Sequence, residues 1–158
     1  FRDYEQLVGF WMQALASLSG WNIVVRPHPR MTDEEIEPLR KFGLAITKRD
    51  TASLVPLCSI YVASVSATIR WAIACGIPVV NYDVYRMNYE DYEEVGGVVT
   101  VDDRMSFLSA MRRLTTDTDY YETVADLQRR SMDQWGKLDG MSGERMLKLF
   151  DSIIQENR

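Results

Sequence analysis

The sequence contains few of the residues that build covalent or metal-held scaffolds. Its 158 residues include two cysteines and one histidine. Cys58 and Cys75 have no second cysteine or histidine at metal-ligand spacing, which argues against a zinc site or a disulfide framework. We expect both to be buried, reduced thiols of a cytosolic protein. A single histidine also excludes any site that needs several histidines.

The chain also lacks an excess of positive charge and a long hydrophobic run. With 18 basic and 23 acidic residues, its formal net charge is -5. This leaves no basic footprint for nucleic acid, so we expect no nucleic-acid partner. The most apolar stretch, residues 7–18, is shorter than the roughly 20 residues that cross a bilayer. A small anionic ligand stays open, because a local site can be positive on an acidic protein.

Hydrophobic residues make up 46% of the chain, which is typical of one globular domain. Apolar, β-branched runs alternate with segments of helical periodicity. The predicted strands are 21–26, 44–47, 59–63, 79–82 and 97–101, and the predicted helices are 4–18, 32–42, 50–57, 64–75, 103–115, 119–134 and 142–156. This alternation indicates an α/β fold with a buried parallel sheet covered on both faces, and ligands bind at the carboxyl ends of such strands. We expect the last helix to fold back with four side chains facing inward: Met146, Leu149, Phe150 and Ile153.

The loop after the first predicted strand concentrates unusual chemistry. Arg26-Pro27-His28-Pro29-Arg30 holds two guanidinium groups and the only histidine. The prolines restrict the backbone, arginine recognises phosphate, and histidine can donate to a phosphate oxygen. The loop therefore suits a diphosphate or a phosphate leaving group. The alternative is a solvated turn with a chance histidine.

Ser64-Val65-Ser66-Ala67-Thr68 follows the third predicted strand and is predicted to open a helix. Small residues and three hydroxyls at a helix start favour anion binding. The alternative is an ordinary serine N-cap. Both loops lie at the same end of the predicted sheet, so we expect Arg26, His28, Ser64, Ser66 and Thr68 to bind phosphate together.

An aromatic segment separates the fourth and fifth predicted strands. It contains the acidic residues Asp83 and Asp91 and four tyrosines: Tyr82, Tyr85, Tyr89 and Tyr92. Tyr82 is a candidate for stacking on a nucleobase or sugar, and Asp83 for accepting a hydroxyl. The alternative is that these tyrosines pack on the domain itself. The usual glycine-rich nucleotide motifs and the G-x-S-x-G motif are absent.

Four segments carry a family resemblance. They are V-V-R-P-H-P-R (24–30), I-Y-V-A-S-V-S-A-T (60–68), A-C-G-I-P-V-V-N-Y-D (74–83) and V-G-G-V-V-T-V (95–101). In this order they resemble the C-terminal, nucleotide-sugar-binding half of GT-B type glycosyltransferases. The nearest groups are bacterial capsule and cell-wall polymer transferases of the CDP-glycerol glycerophosphotransferase and Kdo or sialic acid transferase kinds. The implied fold is a Rossmann-like, three-layer α/β/α domain with a mostly parallel sheet, spanning residues 1–158.

The resemblance implies roles for particular residues. His28 and the serines at 64 and 66, with Thr68, would contact the donor phosphate, and Arg26 would lie beside them. The donor would be a CMP-, CDP- or UDP-activated molecule, with no other cofactor and no tightly bound metal. The catalytic base would come from an N-terminal acceptor-binding domain that is missing here. The implied location is cytoplasmic, or the inner face of the plasma membrane through the parent protein.

Two further expectations complete the interpretation. Because the chain begins in a helix, we expect one upstream strand to belong to the parent protein, beside the 21–26 strand. The chain also resembles the C-terminal half of UDP-N-acetylglucosamine 2-epimerases in its G-I-P-V-V and W-G-K-L-D-G segments. Their S-G-G-x-Q-E-E element is absent, since Ser66-Ala67-Thr68-Ile69-Arg70 stands there. An epimerase-like isomerase domain and a non-catalytic, partner-binding lobe are the alternatives.

Overall fold

A computed structural model describes residues 1, 3–87, 92 and 94–156. The described chain is mixed α/β and is compatible with a Rossmann-like fold. The helices are α1 (Tyr4–Ala16), α2 (Asp33–Ile36), α3 (Thr51–Leu54), α4 (Ile69–Ala74), α5 (Arg104–Thr116), α6 (Thr118–Trp135) and α7 (Ser142–Glu156). The strands are β1 (Val24–Val25), β2 (Ala45–Ile46), β3 (Tyr61–Ala63), β4 (Val79–Tyr82) and β5 (Val98–Val101). Segments of 3-10 helix extend α2 over Glu37–Phe42 and α3 over Val55–Leu57.

Side-chain caps fix where most helices begin. The predicted capping box at the start of α2 is confirmed, with Thr32 accepting from the Glu35 N–H and Glu35 accepting from the Thr32 N–H. Asp50 caps α3 as predicted. Asp103 and Asp117 cap α5 and α6 in the same way. These short-range bonds explain why the sequence located the helices well.

The strands form two separate parallel sheets rather than the single sheet that the sequence predicted. β1 pairs with β2, with Val24 opposite Ala45. The second sheet has the order β3-β4-β5, with Val80 opposite both Val62 and Val99. In the described part of the chain, no strand links β1 to β3.

Apolar side chains cover both faces of the β3-β4-β5 sheet. Alternate β4 residues point in opposite directions, so Val79 joins one core cluster while Val80 and Tyr82 join the other. The first cluster packs under α4, and the second packs under α1 and α5. Buried side chains thus lie on both faces of this three-stranded sheet.

Three local predictions are wrong. The first strand is not fully buried, because the Val24 side chain is 56% exposed. The helix predicted to open at Ser64 begins at Ile69 and is six residues long. The last helix does not turn its apolar face inward: the large side chains that α7 leaves exposed include Met146, Leu149, Phe150 and Ile153.

Both cysteines are free and partly buried, and burial raises the pKa of each thiol.

The described helices were also compared with what a bilayer requires. None of them is both long enough and apolar enough to cross a membrane.

Candidate anion-binding site

The His-Pro loop follows β1 as a tight, exposed turn. The His28 carbonyl accepts from the Met31 N–H at 2.9 Å, which closes the turn. The His28 Nδ1 accepts from the Arg30 N–H at 3.2 Å. Because Nδ1 acts as the acceptor, the neutral imidazole carries its proton on Nε2. The exposed ring therefore presents an N–H donor toward solvent.

Arg26 is held in place at the carboxyl end of β1. Its Nε donates to the Arg49 carbonyl at 3.3 Å, and one terminal nitrogen donates to the Pro27 carbonyl at 2.9 Å. Both partners are neutral carbonyls, so neither bond offsets the charge of the guanidinium. These two bonds use two of its five donors, which leaves N–H groups for an anion. Because β1 and β2 are parallel, Arg49 follows β2 at the same end of this sheet.

A short chain of hydroxyls follows β3. The Tyr61 hydroxyl lies 2.6 Å from Thr68 Oγ1, and Ser66 Oγ lies 2.7 Å from the same oxygen. Burial holds the pKa of Tyr61 above its usual value, and the Thr68 hydrogen bond and the positive charge of Arg26 offset part of that rise.

The backbone of the Ser64–Thr68 loop has an unusual conformation at Val65. Its φ of 44° places a β-branched residue in the left-handed region, which costs about 1–3 kcal/mol. The Val65 N–H donates to Asn81 Oδ1 at 3.0 Å, and Asn81 is buried on β4. Asn81 in turn donates to Thr100 Oγ1 at 3.4 Å. A buried amide from the next strand thus fixes the loop.

The Ser64 hydroxyl is buried and has no hydrogen-bond partner among the described residues. Leaving a polar group in this state costs about 1–3 kcal/mol. The hydroxyl lies at the carboxyl end of β3, next to the strained residue of the loop. It is an unsatisfied donor at the place where the sequence predicts a phosphate.

Tyr82 and Asp83 are engaged within the protein. Tyr82 is 1% exposed, and its ring stacks on Phe107 with centroids 4.8 Å apart. Tyr82 therefore packs on the domain itself, which is the alternative that the sequence left open. The buried Asp83 carboxylate accepts from the Met87 N–H at 3.0 Å and shapes the turn after β4. Tyr85 is 60% exposed, whereas Tyr89 and Asp91 lie outside the described residues.

We call the surface formed by Arg26–Arg30, Thr47–Asp50 and Ser64–Thr68 the carboxyl rim. Within it, hydrogen bonds join Ser66 and Thr68 to Tyr61, and Ser64 lies in the same loop. Arg26 bonds to the Arg49 carbonyl after β2, and His28 stands exposed on the same loop as Arg26. Sequence reasoning missed Arg49, Tyr61 and Asn81, because their contacts cross between strands. Among the described residues, no group of three or more histidine, cysteine or acidic side chains is placed to hold a metal ion.

A cavity of about 280 Å³ lies away from the carboxyl rim. It is lined by the end of α1, the residues that follow it, and the segments at β1 and β2, among them Leu15, Leu18, Trp21, Val24 and Leu44. Its lining side chains carry no charge, and apart from Asn22 their only hydrogen-bond donor is the Trp21 indole N–H, which is bonded to the Thr115 carbonyl, so it does not resemble a phosphate site.

Comparison with known proteins adds no family to this geometry. No protein-family model matches the chain. No curated protein sequence matches it at a significant level.

Proposed function

We propose that this domain binds the phosphate groups of a nucleotide-activated donor at the carboxyl rim. The observation that carries the proposal is the bonded Tyr61–Thr68–Ser66 hydroxyl chain, and the positive charge of Arg26 acts on its tyrosine hydroxyl. Arginine and hydroxyl donors together match the charge and geometry of a diphosphate. The buried, unpartnered Ser64 hydroxyl supports the same assignment.

The donors that support this site are side chains rather than a helix terminus. α4 has six residues and begins after the loop, so its dipole adds little. In our proposal Arg26 neutralises charge, the hydroxyls of Ser66 and Thr68 orient the phosphate oxygens, and Ser64 gains the acceptor that it lacks in the free domain. Tyr82 and Asp83 shape the neighbouring segment instead of touching phosphate.

We further propose that the domain is the donor-binding half of a glycosyl or glycerophosphate transferase of surface polysaccharide synthesis, with a GT-B arrangement and a cytoplasmic location. The family resemblance of the four sequence segments supports this choice. His28 would donate from Nε2 to the leaving phosphate and offset the negative charge that develops there. The base that activates the acceptor would come from the other half of the enzyme.

A kinetic comparison in the full-length protein tests the role of His28. His28→Ala should lower donor turnover at least tenfold, measured as nucleotide release from CDP-glycerol, a CMP-sugar and a UDP-sugar. His28→Gln is the matched control, because its side-chain amide keeps an N–H donor and should retain part of the activity. Unchanged kinetics in His28→Ala would remove the histidine from the mechanism.

One observation favours a second function, that of a partner-binding lobe. None of the residues of α7 is buried, although its Leu147, Phe150 and Ile154 are apolar and large. An exposed apolar helix face is typical of protein contact surfaces. If the domain only bound a partner, rim variants would leave function intact while α7 variants abolished it.

A further inference from the structure

Asn81 is a polar residue in the otherwise apolar middle strand of the β3-β4-β5 sheet. β4 is buried along its whole length, and Asn81 itself is 2% exposed. Burying an amide is unfavourable unless new hydrogen bonds replace those that it made to water. The Asn81 amide makes two such bonds, one through its oxygen and one through its nitrogen. The role of this residue therefore follows from the two groups to which it bonds.

The register of the sheet places Asn81 beside the start of the Ser64–Thr68 loop. Asn81 lies opposite Ala63, the last residue of β3, and opposite Thr100 of β5. Paired residues of neighbouring strands direct their side chains to the same face of a sheet. Ala63 carries only a methyl group on that face, and the longer Asn81 side chain accepts from the Val65 N–H at 3.0 Å. A residue of β4 thus bonds to the backbone of the loop that follows β3.

The N–H that Asn81 accepts from belongs to a strained residue. Val65 has a φ of 44°, and a β-branched side chain disfavours this left-handed region. Such conformations persist only where the surrounding structure imposes them, and they are frequent at ligand-binding sites. The hydrogen bond to Asn81 is the contact that imposes this one. We expect Val65 to relax to a negative φ once that bond is lost.

Thr100 determines which end of the amide faces the loop. Its Oγ1 accepts from Asn81 Nδ2 at 3.4 Å. An amide has one acceptor end and one donor end, so a bond at its nitrogen directs its oxygen toward Val65. At the other end of the loop, the Tyr61 hydroxyl lies 2.6 Å from Thr68 Oγ1. The loop is therefore held at Val65 from β4 and at Thr68 from β3.

We propose that Asn81 is a positioning residue of the anion site, which keeps the Ser64–Thr68 loop in its phosphate-binding conformation by holding Val65 in the left-handed region. This inference rests on the proposed function of the carboxyl rim and adds a residue that does not itself touch the ligand. The loop is then preorganised in the free domain, where the buried Ser64 hydroxyl has no partner among the described residues. A loop released from Asn81 populates this conformation only in part, and the apparent affinity falls by the same fraction.

The first measurement is made without ligand, by amide hydrogen exchange followed by NMR. In the 158-residue chain the Val65 amide should exchange slowly, because the buried Asn81 oxygen accepts from it. Asn81→Ala should speed this exchange by at least about tenfold relative to the Val79 amide, since only the loop opens locally. Val79 is the internal control, because it lies at the opposite end of β4 and donates to the Gly97 carbonyl.

The second measurement is the affinity for inorganic pyrophosphate, by NMR titration at a temperature at which every variant is folded. Asn81→Ala should weaken binding about tenfold, because fewer molecules hold the competent loop. Adding Val65→Gly to Asn81→Ala should restore the affinity to within about threefold of the unmodified chain, because glycine adopts positive φ without strain. A role of Asn81 in stability alone would not produce this rescue. Gln128→Met is the matched control: it removes a buried amide of α6 that bonds to no described residue, and it should leave the affinity unchanged.

Thr100→Val tests the same contact if Asn81→Ala does not fold, because valine keeps the shape of threonine and removes the acceptor that orients the amide. It should speed exchange at Val65 and weaken pyrophosphate binding. Unchanged exchange at Val65 in the variants would overturn the proposal, and so would faster exchange with unchanged pyrophosphate affinity. If the unmodified chain binds no pyrophosphate, the proposed function fails and this inference falls with it. Normal binding by the unmodified chain together with unaffected variants would refute the role of Asn81 alone.

Discussion

At the scale of single residues, Gly97 packs closely against the side chain of Gln128. A Cβ added at Gly97, the residue before β5, would overlap the Gln128 side-chain amide. Gln128 is 0% exposed, and its amide atoms have no hydrogen-bond partner among the described residues. Glycine is therefore required for space here, and its conformational freedom is not the reason.

Gly97→Ala should lower the free energy of unfolding by about 1–3 kcal/mol, the usual cost of overpacking a core. Urea unfolding measures the effect. Gly9→Ala in the middle of α1 is the matched control, because no atom lies within 4 Å of its added Cβ. It should instead gain up to about 1 kcal/mol from helix propensity. Equal effects of the two substitutions would contradict the packing argument.

Ser64 offers a second residue-scale prediction, in which stability and binding move in opposite directions. Ser64→Ala removes a buried hydroxyl without a partner, so the free domain should gain about 1 kcal/mol. The same variant should bind inorganic pyrophosphate more weakly, as measured by calorimetry. If Ser64→Ala stabilises the domain and leaves pyrophosphate affinity unchanged, the hydroxyl is not part of an anion site.

Ser66→Ala is the matched control for the stability part of this experiment. The Ser66 hydroxyl is bonded to Thr68 Oγ1 and also accepts from the Thr68 N–H at 3.3 Å. Its removal should therefore cost about 1 kcal/mol instead of adding stability. The two serine-to-alanine substitutions should therefore change the free energy of unfolding in opposite directions, because the Ser66 hydroxyl is hydrogen-bonded and the Ser64 hydroxyl has no partner among the described residues.

At the scale of elements, the caps explain what could be predicted from the sequence. The limits of α5, α6 and α7 agree with prediction to within one or two residues, because Asp103 and Asp117 cap helices whose apolar positions repeat regularly. The start of α4 could not be predicted. Ser66 and Thr68 bond to each other, Tyr61 joins them from β3, and Thr68 caps α4 without a side-chain hydrogen bond. Sequence periodicity cannot foresee such tertiary contacts.

The cap of α5 makes stability depend on pH. The Ser106 hydroxyl and the N–H groups of Ser106 and Met105 hold the pKa of Asp103 below its usual value. Because the ionised form is favoured in the folded chain, its stabilising effect is present above the unfolded pKa of about 3.9. The effect is lost as pH falls through the lower folded pKa.

Asp103→Asn removes this titration while keeping a side-chain oxygen as acceptor. Its urea midpoint should fall less than that of the unmodified chain when the pH is lowered from 7 to 3. Asp103→Ala should have a lower urea midpoint than the unmodified chain at pH 7, because it loses the N-cap of α5. Parallel pH profiles for the unmodified chain and Asp103→Asn would show that the carboxylate does not contribute.

Two phenylalanines, one in the core and one on the surface, allow a comparison of α5 with α7. Phe107 of α5 is fully buried, whereas Phe150 of α7 is about half exposed. Phe107→Ala should cost about 3–5 kcal/mol of unfolding free energy. Phe150→Ala should cost less than about 0.5 kcal/mol in the isolated domain. A large loss of stability in Phe150→Ala, measured by urea unfolding, would mean that α7 packs on the domain as the sequence predicted.

At the scale of the whole molecule, the sequence predicted the α/β class, whereas the joining of its two candidate phosphate loops in one site stays a prediction. The alternation of apolar runs and helical periodicity can be recognised from neighbouring residues in the sequence, and it places both loops after strands. The division into two sheets could not be predicted, because strand pairing depends on backbone groups that every residue carries. The exposure of the apolar face of α7 could not be predicted either, because periodicity reveals an apolar face but not what covers it.

The central claim is that the carboxyl rim binds the phosphates of a nucleotide, and thermal unfolding of the 158-residue chain with millimolar CMP, CDP, UDP, GDP and ADP tests it most directly. A ligand at 100 times its dissociation constant adds about 2.7 kcal/mol of stability, or on the order of 5 °C for a domain of this size. We predict such a shift with a pyrimidine nucleotide and its loss in the Arg26→Gln, Ser66→Ala double variant. A single cooperative transition that no nucleotide shifts, or a shift that survives in the double variant, would contradict the claim.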